Sequence, residues 1–448
     1  MAKVTPKFRL SRIHYMMFLS YSLTFLIWGF VGTSGVMTLD YFSKYIPRFL
    51  LPISAALGPI FLMIGNTLMG RLADIVGRRG IYAYTMSLYA IGLVGMAISL
   101  LLTKTMPIMT AFTIFLVSYA LAELGVGGEE PPALAAATEL MPPNYRGSML
   151  VLITNFDNIG AAIAAAILLM ALLMGTPVSA IWTMIGSALV VIMVAIIIRL
   201  VIPESIRWLL IRGRGDVAKR IAEKEGLTYT LTDEGGTEIT RFPPAWFRVL
   251  FLSLIGIAQI VTYGLMAYYI IYLPSLPFSN NEELATQVLL WANVGASLAG
   301  LIGLVIDRIS RRSFTLFSYI GGLVTMVPIF LIYGLMLTNI SSSLIVFYLL
   351  LFLNMVFSEF GWAVRTMLEP ELFPTKVRAT WVGLVRFIAW AFYVFLIYYL
   401  LATASTYIYL LSVLVLYAIG VAAAVAWYAF GVETRGLHVS ALDEAAGK

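Results

Sequence analysis

Long apolar stretches, separated by short polar ones, follow one another along the whole chain. A helix needs about 20 apolar residues to cross the hydrocarbon core of a bilayer, and twelve stretches reach that length. We call them segments 1 to 12, and they cover residues 15–38, 50–71, 80–102, 107–137, 148–174, 178–202, 245–273, 286–306, 314–337, 343–370, 379–402 and 406–431. The pattern predicts an all-α polytopic membrane protein with 12 transmembrane helices.

The longest polar stretch divides the segments into two sets of six. It lies between segments 6 and 7. This division predicts an N-terminal six-helix bundle over residues 1–202, a cytoplasmic linker with short helices over 203–244, a C-terminal six-helix bundle over 245–431 and a cytoplasmic tail over 432–448.

Composition supports this class and argues against others. The chain has 448 residues, of which 61% are hydrophobic and 12% charged, and a soluble protein cannot cover so much apolar surface. It has no cysteine, and its two histidines, His14 and His438, lie near the ends, so a metal centre is not expected. A GxxxxGK[ST] loop and a clustered nucleophile and base are both missing from the sequence, so we expect neither ATP coupling nor an enzyme.

Basic residues are distributed unevenly between alternate loops. One set of loops contains only Lys44, Arg48 and Lys104. The other set, with both ends of the chain, contains Lys3, Lys7, Arg9, Arg12, Arg78, Arg79, Arg146, Arg207, Arg212, Arg214, Lys219, Arg220, Lys224, Arg308, Arg311, Arg312, Lys376 and Arg378. The positive-inside rule therefore predicts a plasma-membrane protein with both termini in the cytoplasm. The net charge of +6 reflects this topology, and no nucleic-acid partner is expected.

Two loop motifs occur twice, once in each half of the chain. "GRLADIVGRR" (70–79) returns as "GLVIDRISRR" (303–312), and "ELMPPNYRG" (139–147) returns as "ELFPTKVRA" (371–379). The offsets are 233 and 232 residues, and a third, weaker pair is "PESIRWLL" with "VETRGL". A single copy is a charged turn between helices, whereas paired copies at one offset indicate a duplicated six-helix unit.

These motifs resemble those of the major facilitator superfamily, in its sugar-porter and metabolite:proton symporter branch. The resemblance implies two six-helix bundles related by pseudo-twofold symmetry, with the loop motifs acting as gates. We expect Asp74 to pair with an arginine or a helix N-terminus of the other bundle and to hold one face shut. The predicted gating set is Asp74, Arg78, Arg79, Glu139, Arg146, Glu204, Arg207, Asp307, Arg311, Arg312, Glu371 and Arg378.

Ionisable residues inside the segments are candidates for function, because each costs about 2.5–3.5 kcal/mol to insert. They are Glu123, Glu129, Glu130, Asp157, Glu359, Arg365, Glu369 and Arg386. Arg365 and Glu369 are four residues apart, so they can also simply neutralise each other.

The stretch "GGEEPPALAAATE" resembles the segment 4 motif of phosphate:proton symporters. The resemblance implies that an acidic residue in this stretch carries the proton. The segment 1 aspartate and segment 4 arginine of proton-coupled sugar porters are replaced here by Val31 and Tyr119. Glu129 and Glu130 are therefore the first proton-coupling candidates, followed by Glu123 and Asp157. The alternative is that one of the two adjacent acids is a permanent structural partner of a group in another segment.

The repeat places Arg386 of segment 11 at the position of Thr154 in segment 5, a position that contacts sugar in the sugar porters. Segment 7, "AQIVTYGLMAYY", also partly resembles theirs. The predicted substrate-binding set is Arg386, Thr154, Asn155, Asn158, Gln259, Tyr263, Tyr268, Tyr269, Asn293, Trp362 and Arg365. Arg386 is suited either to binding an organic anion or to pairing with an acid inside the protein.

The sequence thus predicts a secondary active transporter, a proton symporter for a small polar organic solute such as a sugar. One alternative is a transporter of an organic anion, carboxylate or phosphate bound by Arg386; another is a facilitative uniporter or a channel. The expected partners are the small-molecule substrate, protons and the lipid bilayer. We expect a monomer that uses a proton gradient and no cofactor.

Overall fold

The computed structural model describes residues 10–227, 242–338 and 340–447, and in these ranges every regular element is helical. Twelve helices are long and apolar enough to cross a membrane, which confirms the predicted number. We label them α1 to α12: Arg12–Ser43, Leu50–Val76, Arg78–Leu102, Ile108–Leu140, Arg146–Leu172, Pro177–Arg199, Ala245–Tyr272, Glu282–Leu304, Arg311–Tyr333, Leu344–Glu371, Arg378–Thr403 and Thr406–Phe430.

Three short α-helices of the described residues lie outside the spans. Ile206–Ile211 and Gly215–Glu225 follow α6, and Val439–Gly447 follows α12. Part of the predicted linker, residues 228–241, lies outside the described residues, as do Lys3, Lys7 and Arg9. We call the end of the molecule with the α2–α3, α4–α5, α8–α9 and α10–α11 connections the basic face, and the other end the far face.

The two halves meet along two equivalent pairs of helices. The helix α2 packs on α11, and α5 packs on α8. The repeat relates α2 to α8 and α5 to α11, so one interface is the counterpart of the other. This arrangement has the pseudo-twofold symmetry that the duplicated motifs predicted.

Close packing of α1 against α5 depends on two glycines. A Cβ on Gly29 would lie 2.0 Å from the carbonyl oxygen of Asp157, and one on Gly160 would lie 2.1 Å from that of Leu26. Small residues allow membrane helices to approach in this way. The contact fixes the backbone of Asp157 against α1.

Two helices deviate from regular α geometry next to the centre of the molecule. In α7 the chain forms a π-helical turn over Leu265–Tyr269 and then a 3-10 turn over Ile270–Tyr272. In α5 the helix is interrupted at Asn155. By contrast, α4 remains helical through both Pro131 and Pro132. Wide π turns are common at functional sites, and this one turns Tyr268 and Tyr269 toward the other half.

Candidate functional site

A cavity with about 800 Å³ of empty space lies between the two halves. Helices α1, α2, α4 and α5 of the first half and α7, α10 and α11 of the second half contribute to its wall. Ten predicted site residues line it: Glu123, Asp157, Asn158, Gln259, Tyr263, Tyr268, Tyr269, Trp362, Arg365 and Arg386.

The two arginines of the cavity belong to a buried chain of alternating charges. Arg386 forms ion pairs with Glu130 of α4 and, at 2.7 Å, with Glu369 of α10. Glu369 in turn pairs with Arg365 at 2.7 Å. The chain holds two positive and two negative groups, so both guanidinium groups are neutralised by the protein, as the alternative interpretation of Arg365 and Glu369 predicted.

Further contacts hold the two arginines in place. Arg365 donates a 2.6 Å hydrogen bond to the side-chain oxygen of Gln259. The guanidinium carbons of Arg365 and Arg386 lie 5.0 and 4.8 Å from the ring centre of Trp362. Cations are attracted to indole faces at this distance. Trp362 also contacts Trp28 of the first half, with ring centres 6.0 Å apart.

Three other acids line the cavity: Glu123, Asp157 and Glu359. In the described part of the chain, none of the three forms an ion pair. Glu359 accepts a 2.7 Å hydrogen bond from the side-chain amide of Asn158, and this bond joins α10 to α5 across the two halves. The side chain of Asn158 also accepts a 3.2 Å bond from the hydroxyl of Tyr263.

Several buried polar atoms at the cavity wall lack a hydrogen-bond partner among the described residues. They include the indole nitrogens of Trp362 and Trp390 and one carboxylate oxygen of Glu359. Buried polar groups in native proteins nearly always have partners, so such atoms call for an explanation. They offer two donors and one acceptor to a molecule held in the cavity.

Three residues of the predicted substrate-binding set lie outside the group that lines the cavity. The hydroxyl of Thr154 donates to the carbonyl of Leu150 in its own helix, and Asn155 donates to the carbonyl of Ser297 in α8. The interruption of α5 turns Asn155 toward α8 and away from the cavity. Asn293 contacts the site only indirectly, by accepting a 2.6 Å bond from Tyr263.

The adjacent acids Glu129 and Glu130 have different environments. Glu129 lies inside the first half, where it pairs with Arg199 of α6 and accepts hydrogen bonds from Thr24 and Thr85. Glu130 faces α11 and Arg386. Successive helix residues point about 100° apart, which explains the difference.

Arg199 was missed by the sequence reasoning, although it lies inside predicted segment 6. It is buried, and its guanidinium carbon lies 3.8 Å from the ring centre of Tyr82 and 5.0 Å from that of Tyr21. Its positive charge within an apolar stretch is the signal that could have identified it. A second missed residue is Glu359, which was noted as a charge inside a segment but was not assigned to the site.

At the basic face, the first copy of the loop motifs forms a network that crosses the two halves. Arg78 pairs with Asp74 at 2.7 Å and with Glu139 at 2.8 Å. Glu139 also pairs with Arg378 of the second half at 3.1 Å. Asp74 accepts bonds of 2.8 and 2.7 Å from the backbone N–H and hydroxyl of Thr380, in the first turn of α11.

The second copy forms the counterpart of this network. Arg311 pairs with Asp307 at 2.9 Å, and Arg146 of the first half pairs with Glu371 at 2.9 Å. Asp307 accepts backbone N–H bonds of 3.1 and 2.8 Å from Gly147 and Ser148, in the first turn of α5. Each aspartate therefore binds a helix N-terminus of the opposite half, where the helix dipole favours negative charge.

The weaker third motif pair is also equivalent in structure. Glu204 accepts backbone N–H bonds of 3.0 and 3.1 Å from Arg78 and Arg79. Its counterpart Glu433 accepts one of 3.1 Å from Arg311.

The remaining members of the predicted gating set, and one residue outside it, lie at the same face. The side chain of Arg79 donates a 2.9 Å hydrogen bond to the carbonyl of Leu200, and that of Arg312 donates to the carbonyl of Tyr428. Arg207 lies in the short helix Ile206–Ile211. Asp443 of the C-terminal helix was not predicted, yet it pairs with Arg378 at 2.7 Å and accepts the backbone N–H of Thr375 at 2.9 Å.

The two halves also touch at the far face. Lys44 of α1 forms an ion pair with Glu282 at the start of α8. Nearer the cavity, the hydroxyls of Tyr269 and Tyr272 donate to the carbonyls of Ala55 and Val36, at 2.9 and 2.7 Å. All three contacts join the two halves, so contacts between the halves lie on both sides of the cavity.

Comparison with known proteins places this architecture among transporters. A family model described as "Sugar (and other) transporter" matches residues 47–446. The probable metabolite transport protein CsbC of Bacillus subtilis is 24% identical over 392 residues, which cover 82% of this chain and 80% of the relative. The major myo-inositol transporter IolT of the same organism is 24% identical over 394 residues, with coverage of 81% and 76%.

Solved structures share the fold. The proton:xylose symporter XylE of the major facilitator superfamily, bound to 6-bromo-6-deoxy-D-glucose, superposes with a TM-score of 0.76 at 18% identity and covers 96% of this chain and 98% of its own. A partially occluded inward-open form of XylE from E. coli gives 0.71 at 16% identity, with coverage of 94% and 99%. The chain belongs to the sugar (and other) transporter family, and it has the fold of XylE, a protein of the major facilitator superfamily.

Proposed function

We propose that this protein is a secondary active transporter that moves a small, neutral, hydroxyl-rich organic solute together with protons by alternating access. The observation that carries the proposal is the cavity between the two halves, with contacts that join the halves at both of its faces. Such contacts are broken on one face at a time when two halves rock about a central site. The solute is proposed to be a sugar or a sugar-like molecule.

The chemistry of the wall supports a polar solute with hydroxyl groups. The unpartnered indole nitrogens of Trp362 and Trp390 are donors, and the free oxygen of Glu359 is an acceptor. A hydroxyl group serves both as donor and as acceptor. The aromatic faces of Trp28 and Tyr263 provide apolar surface for the C–H side of a sugar ring.

An anionic solute bound by Arg386 is less well supported by this geometry. Glu130 and Glu369 already neutralise this arginine, and an anion would have to displace one of them. Of the remaining charged groups of the wall, Arg365 is neutralised by Glu369, and Glu123, Asp157 and Glu359 are acids that repel an anion when they are ionised. We therefore prefer the neutral solute.

A channel is also less well supported. It would need one continuous path, whereas here ion pairs join the two halves on both sides of the cavity. The two equivalent networks at the basic face instead provide gates that open and close as units. We propose that the predicted gating set, joined by Asp443, stabilises the state in which this face is shut.

We propose that the basic face is cytoplasmic and that the protein acts as a monomer in the plasma membrane. This orientation places the arginine-rich loops inside the cell, as the positive-inside rule requires. The moving units are the bundles over residues 1–202 and 245–431, with the short helices of 203–244 and the tail of 432–448 supporting the gates.

A thermal-shift screen of sugars, polyols and organic acids on the purified protein tests the solute class. A ligand that binds only the folded protein raises the apparent Tm. We expect a sugar or polyol to stabilise the wild type and to stabilise Trp390→Phe much less, since this variant lacks one donor. Trp182→Phe is the matched control, because Trp182 of α6 has an unpartnered indole nitrogen away from the cavity.

The outcome of the screen separates the two solute classes. Stabilisation by a sugar that Trp390→Phe weakens and Trp182→Phe retains supports the proposal. Stabilisation by organic acids alone contradicts it and returns Arg386 to the role of an anion ligand.

A further inference from the structure

We propose that Asp157 and Glu359 together form the proton-binding site that couples proton movement to closure of the cavity. The inference deepens the proposed symport and rests on it. It assigns the proton neither to Glu129 nor to Glu130, the first candidates of the sequence.

The neighbours of the candidate acids lead to this assignment. Glu129 is neutralised by Arg199 inside the first half, and Glu130 is neutralised by Arg386. A carboxylate held by a guanidinium group has little tendency to take up a proton. Glu123, Asp157 and Glu359 lack such a partner among the described residues, and all three line the cavity. Asp157 and Glu359 differ from Glu123 because the bond between Asn158 and Glu359 brings their two helices together across the halves.

Burial and position make Glu359 a binding group. Glu359 lines the cavity and is only 2% exposed. One of its carboxylate oxygens lacks a hydrogen-bond partner among the described residues. Its other oxygen accepts from Asn158, the chain neighbour of Asp157. The two acids come from opposite halves and lie close enough to interact electrostatically.

Two carboxylates in such a place cannot readily both be ionised. Each buried charge costs several kcal/mol when it is unpaired, and like charges add to the cost. One proton, taken from solution at an open face and bound to a carboxylate oxygen, removes one charge and leaves an O–H donor. The proton dissociates from the same oxygen into water when the opposite face opens.

The site is placed so that the solute responds to it. Tyr263 and Asn158 link Glu359 to the wall on which a solute would lie. Closure removes bulk water from the two acids, so it favours the bound proton even in the empty cavity. A solute that expels the remaining water turns this preference into a requirement. The other charged and titratable groups of the wall are Tyr119 and Glu123 of α4, Tyr263, Tyr268 and Tyr269 of α7, Arg365 of α10, and Arg386 and Tyr393 of α11.

Spin-label distances on the solute-free protein in nanodiscs test the assignment. The chain has no cysteine, so Val76→Cys and Ser313→Cys place one label at the basic end of each half. We expect acidic pH to favour the short, closed distance and alkaline pH to raise the separated fraction by at least about tenfold, given the cost of a buried charge. Asp157→Asn with Glu359→Gln is expected to remain closed across the pH range.

The matched control is Asp40→Asn, since Asp40 of α1 is an equally buried acid outside the cavity wall. It should respond to pH like the wild type. An unchanged pH response in the double variant, or none in the wild type, would overturn the assignment. A response to sodium at constant pH, lost in the double variant, would overturn it in favour of a metal cation.

The outcome is independent of the solute screen. Sugar stabilisation with an unchanged pH response in the double variant leaves a sugar transporter with its proton site elsewhere. Loss of the pH response without stabilisation by any sugar leaves the proton site and removes the proposed solute.

Discussion

Asp74 in the first half and Thr380 in the second are joined by two hydrogen bonds of 2.8 and 2.7 Å at the basic face. Asp307 makes the equivalent contact in the other direction, to the first turn of α5. Each carboxylate thus binds the start of a helix that belongs to the opposite half. We propose that these contacts are lost when the face opens, so that their strength sets how long it stays closed.

Asp74→Asn and Asp307→Asn should therefore favour opening of the basic face. Hydrogen bonds to charged groups contribute about 1.5–3 kcal/mol, and loss of one charge should shift the equilibrium about tenfold or more. A single cysteine facing the cavity from the basic side should react faster with a maleimide. Asp216→Asn, on the exposed surface of Gly215–Glu225, is the control. Equal labelling rates in all four proteins would contradict the gating role.

Replacing Arg386 should destabilise the protein far more than replacing a side chain that only contacts the solute. Arg386→Gln leaves Glu130 and Glu369 as unpaired buried acids, and breaking a buried pair costs about 3–5 kcal/mol. We expect a lower Tm and partial recovery when Glu130→Gln is added. A wild-type Tm in Arg386→Gln, combined with loss of solute binding, would show that the arginine serves the solute.

Glu129→Gln should reduce stability while leaving proton coupling in place. The substitution leaves Arg199 buried without its acidic partner. Arg199→Gln in the same chain should restore part of the lost Tm, because it removes the unpaired charge. If Glu129 carried the proton, as its place among the sequence-based candidates suggests, Glu129→Gln would abolish gradient-driven uptake while exchange continued. That result at an unchanged Tm would return the proton to Glu129.

Gly160→Ala should disturb the wall of the cavity from outside it. The new Cβ would lie 2.1 Å from the carbonyl oxygen of Leu26, so α1 and α5 must separate and Asp157 must move with them. We expect slower transport and a lower Tm. Gly186→Ala in α6 is the matched control, because a Cβ there meets nothing within 4 Å. Equal transport rates in the two variants would contradict the importance of this contact.

Hydropathy and repeated motifs were sufficient to predict the fold. The apolar segments and the paired loops depend on local patterns, and the structure confirms the twelve helices. The offset between "GRLADIVGRR" and "GLVIDRISRR" even indicated which helices are equivalent.

The pairing of charges inside the membrane was harder to predict. Whether Glu129 or Glu130 meets Arg386 depends on the rotation of α4 about its axis, because the two acids differ by about 100°. The break in α5 at Asn155 has no strong signal in the sequence, and it decides that Asn155 leaves the cavity while Asn158 lines it. Side-chain contacts that depend on the relative rotation of several helices could therefore not be predicted from the sequence.

Uptake into proteoliposomes tests the central claim most directly. The sugar or polyol that stabilises the protein most is supplied outside, with and without an inward proton gradient. Proton-coupled alternating access predicts uptake that saturates with solute concentration and rises above equilibrium only when the gradient is present. Uptake that grows in proportion to concentration, or that never exceeds equilibrium under the gradient, would contradict it.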